Sequence, residues 1–405
     1  MNETDGKCRA LVGKVVCELL QQLLPSTKFA HVAQYAVSWL RGTEPLLKRA
    51  AAQVLGLLVD VAGAKAATVL QDALPPLRAM LEHAPGMGVN DAVDDSPDAP
   101  NPGAGWPPIY YGLLLVEKAV VALPQTLAEA ADAPALWEAA AALLLHPHLW
   151  VRKAAGRLVG HYLARCDTTG HWAGGGVVHG GGLLAGDGRL MTLARAVCQQ
   201  VETPALDDAM GAQVVKNLVG LVRIALARGP PASGEPAAST STTAAATADD
   251  EDDSGDDEDR EAEQREADTA EAGEAGGSGR AWVPKEVEWV FKRMGRAAAN
   301  GTDTQRTTVL LWCAAATAAL GDAGVSPVLY DLLRPVLRAN SGTGYSAAVK
   351  QKAEEVLALV QETVGGARMA SCYAALRGSK ERAREGKRKY LKLQAVLARK
   401  PLLLP

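Results

Sequence analysis

Apolar residues recur at i, i+3, i+4 and i+7 along most of this chain, the stripe of a helix that buries one face. Phe29, Val32, Ala33, Ala36, Val37 and Leu40 fall on one side of the first such segment. The next runs from Leu46 to Val61 after Thr43-Glu44-Pro45, where proline takes the first turn and its missing N–H does no harm. Ala66 to Leu81 follows, and Pro75-Pro76 is expected to kink or split it. Helices are predicted again over Ile109 to Leu123, Pro134 to Leu145, Leu149 to Arg165, Leu190 to Val201 and Asp207 to Arg228. After Trp282 the pattern resumes over Lys285 to Ala299, Thr304 to Leu320, Val328 to Arg338 and Ser346 to Val364, then from Ala367 into the C-terminus.

Three stretches lack a period. Residues 86–108 are rich in Pro, Gly, Asp and Asn, and 168–188 are dominated by glycine, so both read as surface loops or disordered inserts. Residues 229–280 form a low-complexity acidic linker of Pro, Ser, Thr, Ala and acids, the strongest disorder signal in the chain.

Two helices repeat each other. Leu47-Lys48-Arg49-Ala50-Ala51-Ala52-Gln53-Val54-Leu55-Gly56 superposes without a gap on Val151-Arg152-Lys153-Ala154-Ala155-Gly156-Arg157-Leu158-Val159-Gly160. Each has an apolar residue, a basic pair, small residues for close helix approach, two large apolar residues and a glycine. A proline stands upstream of both, at Pro45 and Pro147, and Gln305-Arg306-Thr307-Thr308-Val309-Leu310 opens a weaker third copy. Such spacing of paired helices is the mark of a solenoid. The fold expected is therefore all-α: a HEAT/armadillo-like α-solenoid with long disordered inserts and a basic helical C-terminal tail. Its parts are helical repeats at 1–228, the linker at 229–280, further helices at 281–376 and the tail at 377–405.

Composition agrees. Hydrophobic residues make up 48% and aromatics only 4%, so Ala, Leu and Val must build the core, which favours helices over sheets. Cys8, Cys17, Cys166, Cys198, Cys313 and Cys372 show no C-x-x-C spacing and read as reduced, core-filling thiols. The N-terminus has no apolar stretch followed by a small-residue cleavage site, and the longest uninterrupted apolar runs fall short of a membrane span, so a soluble intracellular chain is expected.

The net charge of −4 conceals segregation. Asp249 to Glu274 holds fifteen acids and two arginines, which leaves +9 elsewhere. Arg377 to Lys400 holds ten Lys or Arg against two acids. That density suits salt-sensitive binding to RNA or DNA, and it equally suits a nuclear-import address. Lys380, Arg382, Arg384, Lys387, Arg388, Lys389 and Lys392 are the candidate phosphate contacts.

Other chemistry fares worse. Cys166, His171 and His179 match no closed four-ligand zinc site, and Gly174 to Gly182 follows a helix and lacks G-K-[ST]. His146 and His148 flank Pro147 with no nucleophile beside them and read as capping and turn packing. Trp150 and Trp312 read as core anchors. Arg152 and Arg306 open their helices, where a cation opposes the dipole; they read by default as solvated surface arginines, with a neighbouring acid or a bound phosphate as the alternative. The chain reads as non-enzymatic, with no cofactor, metal, small-molecule substrate or membrane partner.

Leu145-His146-Pro147-His148-Leu149-Trp150-Val151-Arg152, Gln213-Val214-Val215-Lys216-Asn217-Leu218, Arg306-Thr307-Thr308-Val309, Glu355-Val356-Leu357-Ala358-Leu359-Val360 with Val364-Gly365, and Lys387-Arg388-Lys389 stand in fixed order. In order and approximate spacing these blocks, spanning residues 28–396, resemble the carboxy-terminal region of the U-three small nucleolar RNA-associated protein twenty (down-regulated-in-metastasis) family. The resemblance implies a HEAT-repeat scaffold of the nucleolar small-subunit processome, a ribonucleoprotein that processes pre-ribosomal RNA. Its partners would be pre-ribosomal RNA and processome proteins, and this chain would match the terminal part of a very long solenoid. The alternative is a protein-only HEAT adaptor whose tail serves import alone.

Overall fold

In the computed structural model the described residues are 27–83, 105–166, 183–184, 188–203, 206–228 and 283–398, with short helical pieces at 14–15, 18–19 and 21–22. Among them there are helices and turns and no β-strand. The helices are α1 (Thr27–Arg41), α2 (Pro45–Ala62), α3 (Ala67–Glu82), α4 (Trp106–Ala122), α5 (Pro124–Glu129), α6 (Ala133–Ala142) and α7 (Leu149–Arg165). They continue as α8 (Arg189–Glu202), α9 (Asp208–Ala227), α10 (Lys285–Asn300), α11 (Asp303–Val325), α12 (Leu329–Ser341), α13 (Ala347–Val364) and α14 (Gly366–Ala398).

Local chemistry sets the boundaries. Pro45 and Pro124 stand in first turns, as sequence predicts for Pro45. Asp207 caps α9 by accepting the Met210 N–H at 2.9 Å, and Thr302 and Gln305 form a reciprocal capping box at the start of α11. At Gly321, φ 61° and ψ −170° break the helical path inside α11, a conformation that suits glycine.

The helices stack in two layers. α2, α4, α7, α9, α11 and α13 pack each on the next, and α1, α3, α6, α8, α10 and α12 form the parallel row, joined pairwise to the first as antiparallel hairpins. This is the arrangement of an α-solenoid, and six hairpins are seen among the described residues. The two helices matched by sequence, α2 and α7, occupy equivalent places, and Ala51, Ala52 and Leu55 are buried as Ala155, Gly156 and Val159 are. The core is continuous along the stack, with Trp106, Trp312, Tyr162 and Phe291 its largest fully buried side chains. Ion pairs cross from hairpin to hairpin: Lys118 to Asp60 at 2.5 Å, Arg157 to Glu117 at 3.2 Å, Lys153 to Asp207 at 2.5 Å, Arg78 to Asp132 at 2.9 Å and Arg189 to Glu138 at 2.5 Å. Half-exposed pairs of this kind add little stability.

Several sequence expectations change. Pro75 and Pro76 do not split α3, which runs unbroken from Ala67 to Glu82. The carbonyls they leave without an N–H belong to Gln71 and Asp72, which are exposed, so water can take the bonds. The insert expected at 86–108 ends earlier, because Trp106, Pro107 and Pro108 form the buried first turn of α4. The stretch 168–188 is not all surface. Leu183 and Leu184 are buried, the Leu184 carbonyl accepts from Arg228 Nη2 at 3.2 Å, and Gly188 leads into α8 with φ 79°. The helix expected from Ala367 into the tail is present as α14, Gly366–Ala398. The linker at 229–280, His171, His179, Cys8 and Cys17 lie outside the described residues.

Apolar length also needs correcting. Pro45–Glu82, Asp208–Ala227 and Asp303–Ser341 are long and apolar enough to cross a membrane by length and composition alone. Here they are solenoid helices, interrupted at Gly63–Ala66 in the first stretch and at Gly321 in the third. Part of their apolar surface packs on neighbouring helices in both layers, while Leu46, Leu47 and Leu311 are exposed.

Candidate nucleic-acid interface

α14 carries the basic residues, and its first turns anchor it. Gly365, with φ 84°, reverses the chain after α13 and donates its N–H to the Gln361 carbonyl at 3.0 Å. Met369, Cys372 and Leu376, spaced i, i+3 and i+7, are half-buried against the core, and α14 packs on α12 and α13. Arg368 pairs with Asp322 and donates to Ser326 Oγ at 2.5 Å, tying α14 to the end of α11.

Beyond Leu376 the helix continues, with Arg377, Glu381 and Glu385 exposed. Arg377 pairs with Glu381 at 3.2 Å and Lys389 with Glu385 at 2.9 Å, both at i, i+4. The Lys389 ammonium holds the Glu385 carboxyl below the usual carboxylate range. Arg382, Arg388 and Lys389 are exposed. The backbone at Lys380, Arg384, Lys387 and Lys392 is helical too, and their side chains lie outside the described residues. At 100° per residue, positions 380, 384, 387 and 388 share one arc of the helix and 382, 389 and 392 the opposite one. The helix thus places all seven positions along one rod, in two opposite arcs.

The other sequence candidates resolve into packing. His148 is buried and stacks on Trp106, centroids 3.9 Å apart, and its backbone N–H donates to His146 Nδ1 at 3.1 Å. Burial and the neighbouring His148 and Arg152 lower the His146 pKa to about 4. Arg152 Nη1 donates to the carbonyls of His146 at 2.8 Å and Pro147 at 2.6 Å, so turn carbonyls answer its charge rather than an acid or a phosphate. Arg306 does find an acid, Asp303 at 3.1 Å, and lies over the Tyr345 ring at 4.6 Å. Trp312 is a core anchor, while Trp150 is half-buried with Lys153 Nζ 4.8 Å above its ring. Cys198 and Cys313 are buried and free, their thiols pushed up to about 12 by burial. Among the described residues no cluster of His, Cys, Asp and Glu could hold a metal ion.

Sequence reading missed an aromatic and basic surface in the α10 row. Lys285, Trp289 and Arg296 share a helix face at i, i+4 and i+11, and the Arg195 guanidinium of α8 lies over the Trp289 ring at 5.9 Å. The spacing was visible in the sequence. That α8, α10 and α12 are neighbours in one layer was not.

No protein-family model matches the chain. The chain is similar to U3 small nucleolar RNA-associated protein 20 of Schizosaccharomyces pombe (strain 972 / ATCC 24843), 25% identical over 231 residues. The match covers 55% of this chain and 8% of that protein, so the chain spans a small part of its relative's length. The relationship is distant, and it agrees with the likeness carried by the sequence blocks.

Proposed function

We propose that the chain is a non-enzymatic HEAT-type scaffold of the nucleolar small-subunit processome, supporting pre-ribosomal RNA processing and small-subunit biogenesis. The similarity to a protein named for its association with U3 small nucleolar RNA carries this reading. The stacked hairpins support it, because a solenoid offers extended surfaces to its partners. The basic rod of α14 supports it too, since exposed cations at that density neutralise phosphates without reading sequence.

Two measurements test it. Tagged protein purified from its own cells should bring pre-ribosomal RNA and processome proteins with it, and should reside in the nucleolus. Replacing Lys380, Arg382, Arg384, Lys387, Arg388, Lys389 and Lys392 with Gln should weaken RNA binding and lower the slope of log K against log salt by up to about 5, at about 0.7 per phosphate lost. Protein partners without ribosomal RNA, with an unchanged slope, would leave the tail as an import signal and overturn the RNA role.

A further inference from the structure

In the C-terminal half of the solenoid, net positive charge lies in one layer. There the α8, α10 and α12 row carries eight Lys or Arg against four acids. The facing α9, α11 and α13 row carries five against six. The α8 row leads directly into α14, which packs beside α12. Arg195, Lys285, Arg296, Arg334 and Arg338 are all exposed on its outer face, and none has a carboxylate within ion-pair distance among the described residues. The remaining charges are handled differently, with Arg293 paired to Glu202 and Lys292 to Glu288 at 3.1 Å.

Trp289 stands in the middle of this surface, half-buried, with the Arg195 guanidinium over its ring. A ring among cations suits a single-stranded nucleic acid, because every base has a π-face to stack while cations take the backbone. The dimensions suit it. Neighbouring helices lie about 8–10 Å apart, so three of them span roughly 20 Å, enough for several nucleotides of a single strand.

We infer that the outer face of α8, α10 and α12 is a second RNA-binding surface, continuous with α14. There Trp289 stacks a base and Arg195, Lys285, Arg296, Arg334 and Arg338 take phosphates. The inference rests on the reading of an RNA partner, and it moves part of the binding from the tail to the folded body.

The test uses the full chain and a fluorescein-labelled single-stranded RNA of mixed sequence, followed by anisotropy across a salt series. Replacing the five cations with Gln should weaken binding at least tenfold and lower the log–log salt slope by up to about 3.5. Trp289→Ala should weaken it about fivefold or more with little change of slope, and Trp289→Phe should restore most of the loss. The control is Lys216→Gln with Arg223→Gln on the facing row, which should leave both quantities unchanged, and thermal melts should show that every variant folds. Wild-type affinity in the five-cation variant, alongside lost binding in the tail variant, overturns this surface and leaves the tail reading standing. Failure of every form to bind RNA overturns both. Equal binding of poly-glutamate, insensitive to Trp289→Ala, would assign the surface to acidic protein.

Discussion

Arg152 and Arg306 stand in the first turns of α7 and α11, where the helix dipole disfavours a cation, and the fold answers each differently. Arg152 is 7% exposed and spends its guanidinium on two turn carbonyls. Arg306 leans on a surface carboxylate and a tyrosine ring. Removal should therefore cost unequal amounts. Arg152→Met should destabilise the third hairpin by about 2–3 kcal/mol, since charge-assisted bonds to buried carbonyls are lost. Arg306→Met should cost about 1 kcal/mol or less, because its partner is solvated. Amide exchange over residues 143–156 and 303–312 measures both, and equal losses would contradict the distinction. His146 adds a pH dependence to the same turn. A histidine titrating near 6.5 when unfolded and about 4 when folded binds fewer protons in the folded state below pH 6.5. Its contribution is complete above 6.5 and is lost as the pH falls through 4, by about 3 kcal/mol on reaching pH 4. The Asn side chain in His146→Asn can accept the His148 N–H but cannot titrate. The melting-temperature gap between the two proteins should narrow from pH 6.5 to 4, and a constant gap would sink the argument.

At the scale of the element, Gly56 and Gly160 hold the same repeat position yet face different neighbours. A Cβ at Gly56 would meet the flexible Lys118 side chain at 3.3 Å. At Gly160 it would collide with the Gln213 and Asn217 amides, which bond each other at 2.9 Å while Asn217 donates to the Gly156 carbonyl. Gly56→Ala should be neutral or stabilise by up to about 1 kcal/mol through helix propensity. Gly160→Ala should cost about 1–3 kcal/mol by overpacking and by disturbing a buried amide. Thermal unfolding of the two variants decides it. The repeat itself was legible because small residues at fixed spacing are what close helix approach requires. Helix starts marked by proline, Asp207 or Ser346 were equally legible, since caps are local. Lost to sequence were the features set by tertiary surroundings: solvent rescuing the Gln71 and Asp72 carbonyls in α3, Leu183 and Leu184 finding the core from a glycine-rich stretch, and the short helix α5. For the candidate interface, the cations of α14 were plain from their density. Arg195 and Trp289 were not, because the residues that complete that surface lie on helices far apart in sequence.

Over the whole molecule, the stack continues across the stretches that sequence marks as inserts. α9 packs on α11 and α8 on α10, with Arg293 of α10 paired to Glu202 of α8, although residues 229–282 separate the two hairpins in the chain. Adhesion between these hairpins therefore comes from their own faces, with Gly211 of α9 close against Thr308 of α11. In a solenoid each unit needs only its neighbours, so the connection contributes loop-closure entropy and little else. Replacing residues 231–280 with a short Gly/Ser linker, about a fivefold shortening, should then stabilise the chain by about 1.4 kcal/mol. Cleaving the intact chain once within that stretch should leave two fragments that co-elute. The shortened chain also removes the acidic run, so RNA affinity at low salt should rise while the salt slope set by α14 and the α8 row stays the same. If the fragments separate, or if shortening lowers the melting temperature, the hairpins on either side are not held by their own packing, and the solenoid is two units rather than one.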